Sequence, residues 1–428
     1  MELIRYPKQE DWAEIVQRPI FDTKGVEKIV RNTLQGVKAG GDEALRNFTR
    51  AFDKVELGEL AVSDAEFGEA EQRVPKELKT AIQIAKTNIE KFHAVQREEI
   101  QKIETSAGVF CWRRSVAIEK VGLYVPAGTA PLFSTVLMLG VPAKIAGCKE
   151  IILCSPPDAD GKISDTILYC AQACGINRVF RVGGAQAIAA MAYGTQTIPR
   201  VDKIFGPGNQ FVTFAKQLVS TQVAIDMPAG PSEVAILADD SCDPAFVAAD
   251  LLSQAEHGSD SQVLLVTTNE KVIAETTAEI ERQIALLSRR KIIEKSLANS
   301  KAVLVHDLEA GVELINKYAA EHLILAVENA DEIAGQIINA GSVFLGHYSC
   351  ESAGDYASGT NHTLPTGGFA RGFSGVSLDS FVKKITFQKL TAEGIRNLGP
   401  TIEYMAAAEG LDAHKAAISV RLEEINGL

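Results

Sequence analysis

The amino-acid sequence predicts an α/β protein built from two similar parallel-sheet domains, and three observations support that prediction. Short β-branched runs alternate with helix-like segments from Ile118 onward. The same alternation starts again at Glu233, which makes a duplication possible. Alternation of this kind is typical of parallel strands with helices on the sheet faces. The length of 428 residues, of which 46% are hydrophobic, is sufficient for two or three domains.

The first half contains four predicted strands, each followed by a helix. The strands cover 119–125, 150–155, 178–183 and 202–208, and the helices lie near 131–146, 163–174, 185–193 and 209–219. The second half repeats the pattern with five strands. These cover 233–239, 262–268, 301–307, 322–327 and 341–346, with helices over 244–257 and 269–286. Any ligand is expected beyond the carboxyl ends of the strands, in the cleft between the halves.

The two ends of the chain have the three- and four-residue apolar spacing of helices. Helices are predicted over 25–52, 68–102, 391–408 and 412–425. Four segments follow from these patterns. A helical N-terminal segment (1–117) packs on the core, two incomplete Rossmann-like domains cover 118–232 and 233–375, and a helical C-terminal tail covers 376–428.

Charge and cysteine content narrow the class of protein. A net charge of −12 argues against nucleic-acid binding, which needs a basic surface. The longest apolar stretch (131–147) is short for a membrane span and holds a proline and a lysine. Seven scattered cysteines predict reduced thiols, and Cys170 and Cys174 are expected in the core rather than at a metal. With no signal peptide at the N-terminus, a cytoplasmic protein is expected, although a plastid protein lacking its transit peptide would have the same features.

Two pairs of polar residues stand near predicted strand ends. Gln254 and His257 are three positions apart, so they share a helix face at its C-terminal end, where a glycine follows. A metal corner is possible, but from spacing alone an exposed helix cap is the favoured explanation, because amide oxygen is an uncommon zinc ligand. Glu321 and His322 lie where a helix meets a strand, and such a pair could move protons or activate water, but a surface Glu-His pair at the start of a strand explains them equally simply.

The stretch 350–375 is rich in Gly, Ser and Thr, and it is either disordered or an ordered functional loop. It contains Asp355, whose carboxylate could complete a metal site, and His362. A fourth pair, Glu409 and His414, has the simpler explanation of an exposed helix face. The remaining strand-end histidines, His306 and His347, are expected to be structural.

Three turns follow predicted strands and precede helices, where backbone N–H groups can receive phosphates. They are YVPAGTAPLFS (124–134), VGGAQA (182–187) and FGPGNQF (205–211). None matches the full GxGxxG fingerprint, so the residues alone do not decide the cofactor. Tyr124 in the first turn could stack on a ring.

Taken together, these segments resemble the histidinol dehydrogenase family along almost the whole chain, least clearly in the first 90 residues. Several ordered motifs match at once, which is far more specific than any one pair. The matching motifs are GLYVPAGTAPLFSTVLM, RVGGAQAIAAMAYGT, KIFGPGNQFV, DMPAGPSEV, LLSQAEHGSDSQ, AAEHL, SAGDYASGTNHTLPT and EGLDAHK.

The resemblance implies a set of site residues, an intertwined homodimer and two cofactors, Zn²⁺ (one per subunit) and NAD. It implies Glu321 and His322 as the proton-handling pair. The implied zinc ligands are Gln254, His257 and Asp355 of one subunit with His414 of the other; the implied NAD contacts are Tyr124, Gln186 and Asn209; and the implied substrate contacts are Ser232, Gln254, His257, His322, Asp355, His362, Glu409 and His414.

The activity implied is oxidation of L-histidinol through L-histidinaldehyde to L-histidine with two NAD, the last step of histidine biosynthesis. Three alternatives stay open at this point. They are a related dehydrogenase of another small alcohol such as a sulfonated diol, a zinc hydrolase, and a non-catalytic ligand-binding protein. The first is disfavoured because an anionic substrate would require Arg or Lys where His362 and Glu409 stand. The absence of HExxH disfavours the second.

Overall fold

The structure is a computed structural model that describes residues 1–18, 23–127, 131–228 and 230–427, without the side chains of residues 23 and 24. The chain divides into two compact units. The first unit combines Met1–Val95 with Ile118–Ser380, and the second combines Gln96–Ala117 with Phe381–Leu428.

The strands and helices of the described residues are numbered in chain order. The strands are β1 (Glu2–Arg5), β2 (Lys102–Ser106), β3 (Val109–Ala117), β4 (Lys120–Tyr124), β5 (Glu150–Ser155), β6 (Arg178–Arg181), β7 (Lys203–Phe205), β8 (Ala224–Ile225), β9 (Glu233–Ala238), β10 (Gln262–Thr267), β11 (Lys301–Leu304), β12 (His322–Ala326), β13 (Ser342–Leu345) and β14 (Val382–Leu390). The helices are α1 (Trp12–Ile15), α2 (Thr23–Phe52), α3 (Asp64–Arg73), α4 (Lys76–Ala94), α5 (Phe133–Ala146), α6 (Asp165–Ala173), α7 (Gly184–Tyr193), α8 (Gln210–Val219), α9 (Pro244–Ala255), α10 (Glu270–Ile284), α11 (Arg290–Ala298), α12 (Leu308–Tyr318), α13 (Ala330–Ala334), α14 (Glu351–Tyr356), α15 (Ala392–Ala408) and α16 (Asp412–Asn426).

The first sheet has five parallel strands in the order β6-β5-β4-β7-β8. Its core is filled by α7, α8 and the N-terminal α2, whose buried Val30, Val37 and Leu45 pack in the same apolar cluster. Gly41 interrupts α2 with a φ of 54°, at the Gly-Gly break seen in the sequence. An apolar stripe along α2 therefore anchors the N-terminal helices on this sheet.

The second sheet has six parallel strands in the order β1-β11-β10-β9-β12-β13. Apolar side chains cover both faces, because the central strands β9, β10 and β12 are buried along their whole length. Strands buried on both faces have continuous apolar sequences rather than alternating ones. Full burial of a Val, Leu or Ile side chain contributes about 1.5–3 kcal/mol, so this sheet is a rigid platform.

The second unit holds a three-stranded antiparallel sheet in the order β14-β3-β2 and the helices α15 and α16. Trp112 on β3 stacks on Phe387 of β14 with ring centroids 5.5 Å apart. Both terminal helices lie within one or two residues of the ranges that the apolar spacing predicts.

The α/β class with two parallel sheets is confirmed, and every strand predicted in the two halves exists. The helical prediction for 1–117 was incomplete. Residues 2–5 add an edge strand to the second sheet, while 102–106 and 109–117 form strands of the second unit. Strand β14 was also missed in the tail. These strands lie at sheet edges or in a small sheet with polar, exposed residues, so they lack the apolar runs that identify core strands.

All seven cysteines are free thiols, and Cys170 and Cys174 lie buried in the core as expected. Within the described residues, no helix has the length and apolar character that crossing a membrane requires.

Candidate active site

The three glycine-containing turns follow strands β4, β6 and β7, at the carboxyl edge of the first sheet. Tyr124 connects two of them, because its hydroxyl accepts a hydrogen bond from the Gly184 N–H at 3.1 Å. Gly206 connects the third, since a Cβ at this position would overlap the carbonyl oxygen of Tyr124. Gly206 also has a φ of 126°, which only glycine adopts readily. The three turns thus form one closely packed backbone surface.

The three residues implied as NAD contacts lie on this surface but differ in exposure. Asn209 is exposed and caps α8, its side-chain oxygen accepting from the N–H groups of Phe211 and Val212 at 3.0 and 3.2 Å. Gln186 and Tyr124 are only 2% and 4% exposed. The Tyr124 ring therefore supports the turns from behind in this conformation, rather than offering a stacking face. Residues 128–130 of the first turn lie outside the described residues.

A cluster of polar side chains lies at the amino edge of the second sheet, where its strands begin. His322 is the first residue of β12, and Glu321 immediately precedes it. The carboxylate of Glu321 accepts a hydrogen bond of 2.9 Å from the N–H of Glu233, the first residue of neighbouring β9. A ligand was expected beyond the carboxyl ends of the strands. The glycine turns of the first sheet lie at such an edge, but this cluster of side chains lies at the amino edge of the second sheet.

Helices α9 and α14 bring further donors to this edge. His257, Glu351 and Asp355 each present one nitrogen or oxygen atom, and these atoms lie within 4.8 Å of one another, as in a metal site. Gln254 is fully buried, and hydrogen bonding orients its amide. Its nitrogen faces the Glu351 carboxylate and its oxygen faces the N–H of Glu233 at 2.6 Å, because the reverse orientation would oppose like atoms.

His362 joins this cluster to the first half of the chain. Its Nδ1 donates to the backbone oxygen of Asp355 at 2.8 Å, which leaves Nε2 of the neutral ring to accept from the Thr135 hydroxyl at 3.1 Å. Thr135 belongs to α5, and the preceding Asn361 donates to the Met138 carbonyl of the same helix at 2.6 Å. The loop around 350–375 is thus an ordered connection rather than a disordered stretch.

The ring of His322 is surrounded by carboxylates. Its Nε2 lies 3.3 Å from Asp355, and its Nδ1 lies 3.8 Å from Glu321 and 4.0 Å from Glu351. Burial disfavours the imidazolium, but the negative charges of Glu351, Glu321 and Asp355 outweigh burial and raise the pKa of His322 to about 10. Burial raises the pKa of Glu321 to about 8, although His322 opposes this shift. The site therefore concentrates acidic groups around one cationic ring.

The two acids on α14 respond oppositely to the same surroundings. Glu351 is 1% exposed, and burial holds its pKa well above the ordinary value. Burial also disfavours ionisation of Asp355, but His322 and the neighbouring His362 and His257 bring the pKa of this carboxyl below its ordinary value. Asp355 is therefore the stronger candidate of the two for a carboxylate ligand.

A supporting network lies behind the Glu321 carboxylate. Arg18 forms two hydrogen bonds of 2.8 and 2.7 Å with the buried Glu233 and lies 3.7 Å above the Tyr318 ring. The Tyr318 hydroxyl donates to Gln262 at 2.9 Å. This ion pair fixes the start of β9, and hence the N–H that holds Glu321.

The structure assembles most of the residues selected from the sequence. Ser232 directly precedes β9, so it stands at the same edge as Glu321 and His322. Glu409 and His414 belong to the second unit, where both are exposed, at the C-terminal end of α15 and on α16. The two strand-end histidines have other partners: His306 stacks on Tyr6, and His347 contacts Ser241.

Two residues of the cluster were not selected from the sequence. Glu351 precedes Asp355 by four positions, the spacing that places two side chains on one helix face, so this signal was available. Thr135 gave no such signal, because its contact with His362 spans 227 positions.

Comparisons with known proteins agree over the full length. The family model for histidinol dehydrogenase matches residues 16–422. A histidinol dehydrogenase of Bacteroides fragilis is 62% identical over 99% of this chain and 100% of its own, and one of Mannheimia succiniciproducens is 52% identical over 97% of each chain. A crystal structure of histidinol dehydrogenase from Elizabethkingia anophelis covers 100% of this chain and 99% of its own, with 54% identity and a TM-score of 0.97. On these matches, the chain belongs to the histidinol dehydrogenase family.

Proposed function

We propose that this chain is a zinc-dependent, NAD-linked histidinol dehydrogenase that oxidises L-histidinol through L-histidinaldehyde to L-histidine, the last step of histidine biosynthesis. The observation that carries the proposal is the buried cluster of Glu321, His322 and Asp355 in a chain of this family. This cluster holds a proton acceptor, a second acid–base group and a metal-type donor set within one small volume.

The donor set fits a zinc ion. His257 and Asp355 offer nitrogen and carboxylate oxygen, and Oδ1 of Asp355 is buried with no well-aligned hydrogen bond, although the His322 Nε2 lies 3.3 Å away. The excess of buried acids around His322 also favours a cation at this position. We assign Gln254, His257 and Asp355 as ligands of one subunit, with His414 of the partner subunit as the fourth. When bound, zinc would orient the nitrogen atoms of the substrate and supply a positive charge beside its reacting carbon.

Glu351 orients the side-chain amide of Gln254, one of the assigned zinc ligands. An amide oxygen is a weak zinc ligand, and a free amide could turn its nitrogen toward the ion. The Glu351 carboxylate holds the Gln254 nitrogen, so the oxygen, which also accepts from the Glu233 N–H, is the atom whose second lone pair would face the ion.

Substrate recognition would rest on the acidity of the cluster. Histidinol carries a protonatable amine, and Asp355 with Glu409 would favour a cationic substrate. His362, Ser232 and His414 complete the expected substrate contacts. Thr135 and the Asp355 carbonyl hold the His362 ring in one orientation, which suits it to a hydrogen-bonding role.

NAD would bind along the glycine turns, with contacts from Tyr124, Gln186 and Asn209. The N-terminus of α8 and the backbone N–H groups beside it suit a pyrophosphate. The dinucleotide accepts a hydride when bound. The buried Tyr124 would act through the shape of the turns, because its hydroxyl is engaged with Gly184.

The first oxidation removes a proton and a hydride from the carbinol. His322 in its neutral form would take the hydroxyl proton, and a bound NAD would serve as the acceptor for the hydride of the same carbon, so that the product is the aldehyde. Neutral His322 requires that the surrounding negative charge be compensated, because the carboxylates otherwise hold the ring as imidazolium.

The second oxidation consumes one water and a second NAD. Glu321 would take a proton from water as it adds to the aldehyde, and protonated His322 would give its proton to the carbonyl oxygen, so the hydrate forms and His322 is neutral again. His322 would then take a hydroxyl proton from the hydrate, whose remaining carbon-bound hydrogen is the hydride available to a bound NAD. The carboxylic acid of histidine results, and it ionises as its proton and those held by Glu321 and His322 pass to solvent. Both steps use one site, so the reactive aldehyde is kept from bulk water.

The proposal includes a homodimer with shared sites and a cytoplasmic location. Sharing follows from the assignment of the partner subunit's His414 as a ligand. Seven free thiols suit a reducing compartment.

One assay tests the function. Purified protein is analysed for metal and then supplied with a limiting amount of L-histidinol, and NADH is counted by its absorbance. Two NADH per histidinol and one zinc per chain are expected. No NADH would contradict the proposal and favour a hydrolase or a binding protein, and turnover of a sulfonated diol in preference to histidinol would indicate the related dehydrogenase. Glu321→Gln, with metal retained, is expected to abolish formation of histidine.

A further inference from the structure

A buried ion pair lies beneath the third glycine turn and takes no part in the chemistry described above. Lys216 on α8 and Asp226 after β8 are in direct contact, and their side chains are only 4% and 1% exposed. A buried pair costs desolvation energy that its own attraction seldom recovers, so its retention calls for a structural or functional reason.

The two charged side chains form hydrogen bonds with the backbone on both sides of Gly206. The Asp226 carboxylate accepts from the N–H of Gly206 at 2.8 Å, and the Lys216 ammonium donates to the carbonyl oxygen of Gly206 at 2.9 Å. The other Asp226 oxygen accepts from the N–H of Met227 at 2.8 Å. Two opposite charges therefore fix the orientation of the peptide groups on each side of Gly206.

Gly206 is the residue at which the cofactor surface is most restricted. Its φ of 126° and its contact with the Tyr124 carbonyl leave no room for a side chain. Three residues later, the exposed Asn209 caps the N-terminus of α8. A rotation of the Gly206 peptide would move Asn209 and the first N–H groups of the helix together.

We propose that Lys216 and Asp226 are positioning residues for the dinucleotide, holding the Gly206 turn in the conformation that presents Asn209 and the α8 N-terminus. This inference rests on the proposed function, since it takes NAD as the ligand of the turns. A turn that is fixed before binding loses less conformational entropy when the dinucleotide binds, so the pair acts on NAD affinity rather than on hydride transfer.

The surroundings indicate which variants will fold. Lys203 on β7 is half-buried and is attracted by Asp226, so this carboxylate keeps one cationic neighbour when Lys216 is changed. Lys216→Met retains most of the apolar stem and removes the donor to Gly206. Asp226→Asn retains an oxygen that can accept from the Gly206 N–H, so its effect should be smaller.

The experiment measures NAD affinity by calorimetric titration of the full chain, together with the KM for NAD and kcat. Lys216→Met is expected to weaken NAD binding roughly tenfold and to raise the KM for NAD by a similar factor, with kcat changed less than about threefold. Asp226→Asn should weaken binding less. Ile293→Ala, which opens a cavity in the core of the second sheet, is the control: it should lower the melting temperature without changing NAD affinity.

Each outcome decides between the two proposals. Unchanged NAD affinity in folded Lys216→Met and Asp226→Asn, or an equal loss in Ile293→Ala, would overturn the positioning role. If Lys216→Met does not fold, Asp226→Asn and the neutral pair Lys216→Gln/Asp226→Asn decide by the same criterion. Wild-type protein that binds NAD but forms no NADH from histidinol would contradict the proposed function and leave the positioning role intact, whereas wild-type protein without NAD affinity would contradict both.

Discussion

The two parallel sheets carry their candidate ligand surfaces on different edges and build them from different parts of the chain. At the carboxyl edge of the first sheet, the surface is built from the backbone of glycine turns, and Tyr124 and Gly206 lock the turns together. At the amino edge of the second sheet, the surface is made of buried side chains around His322. The first sheet therefore offers a surface of backbone turns, the backbone cradle. The second sheet offers the buried side chains around His322, the charged cluster.

This difference shows how one architecture can separate binding from chemistry. A backbone cradle recognises phosphate through fixed N–H groups and needs no titratable residue. The charged cluster changes the pKa of His322 and Glu321 and can move protons. Changes at the first edge should alter affinity or folding, whereas changes at the second should alter rate or metal binding.

The largest effect is expected from His322→Asn at the charged cluster. Loss of the proton acceptor should lower kcat by about 10²–10⁴-fold while NAD affinity is retained. Steady-state kinetics and NAD titration measure the two separately. His306→Asn, at an exposed histidine that stacks on Tyr6, is the matched control and should leave kcat unchanged. A His322→Asn enzyme with near-normal kcat would remove the chemical role from this edge.

Gly206→Ala should instead disrupt the backbone cradle at the carboxyl edge of the first sheet. A Cβ would overlap the Tyr124 carbonyl, and the φ of 126° is strained for alanine, so the free energy of unfolding should fall by about 2–4 kcal/mol. Denaturant titration measures this change. Gly68→Ala in α3, where a Cβ meets no atom within 4 Å, should instead stabilise by about 0.5–1 kcal/mol. Equal effects of the two substitutions would contradict the restriction at Gly206.

Glu351→Gln tests whether the charged edge holds metal through an oriented amide. The neutral amide accepts a weaker hydrogen bond than the carboxylate and can present its own NH2 group to the Gln254 nitrogen, so the orientation of Gln254 is less well fixed and zinc affinity should fall about 10–100-fold. Competition with a chromogenic chelator measures the affinity independently of turnover. Glu279→Gln on α10, where the carboxylate pairs with Arg282, serves as the comparison and should change zinc affinity less. Zinc affinity that is equal in Glu351→Gln and the wild type would exclude this orienting role.

The smallest effect is expected from Glu66→Gln. This substitution removes an ion pair that supports the first sheet and belongs neither to the backbone cradle nor to the charged cluster. Burial opposes ionisation, but hydrogen bonds from Arg181 and Ser63 lower the pKa of Glu66 from 4.5 to about 2. A lowered pKa stabilises the fold above the unfolded value and loses that contribution as the pH falls from 4.5 toward 2. The variant should therefore lose about 1 kcal/mol at pH 7 and almost nothing near pH 2, in urea unfolding at each pH. A loss that does not change with pH would mean that packing, and not charge, is responsible.

Sequence patterns predicted the two parallel sheets and the backbone cradle better than they predicted the charged cluster. Core strands such as β9 and β10 are continuous apolar runs, and glycine turns after strands have a local signature. The edge strand β1 and the small sheet of β2, β3 and β14 lack such runs because their side chains are largely polar or exposed.

The charged cluster could not be derived from spacing, because its members come from separate elements. Gln254 and His257 alone fit a simple helix cap, and Glu409 with His414 fit an exposed helix face. Only the resemblance to a family singled them out as site residues. The fold then supplies what spacing lacks, since α9, α14 and the start of β12 bring Gln254, Glu351 and His322 to one edge.

The central claim is that each metal site is shared between two chains, and mixing two inactive variants tests it most directly. His257→Asn disables the ligands on the first unit, and His414→Asn disables the ligand assigned to the partner. When the two variants are unfolded together, refolded and supplied with zinc, half of the dimers should be mixed, and each mixed dimer has one intact site. The account predicts recovery of roughly a quarter of wild-type activity from two inactive proteins. No recovery, with dimers formed and each parent variant inactive, would contradict a site completed by the partner subunit.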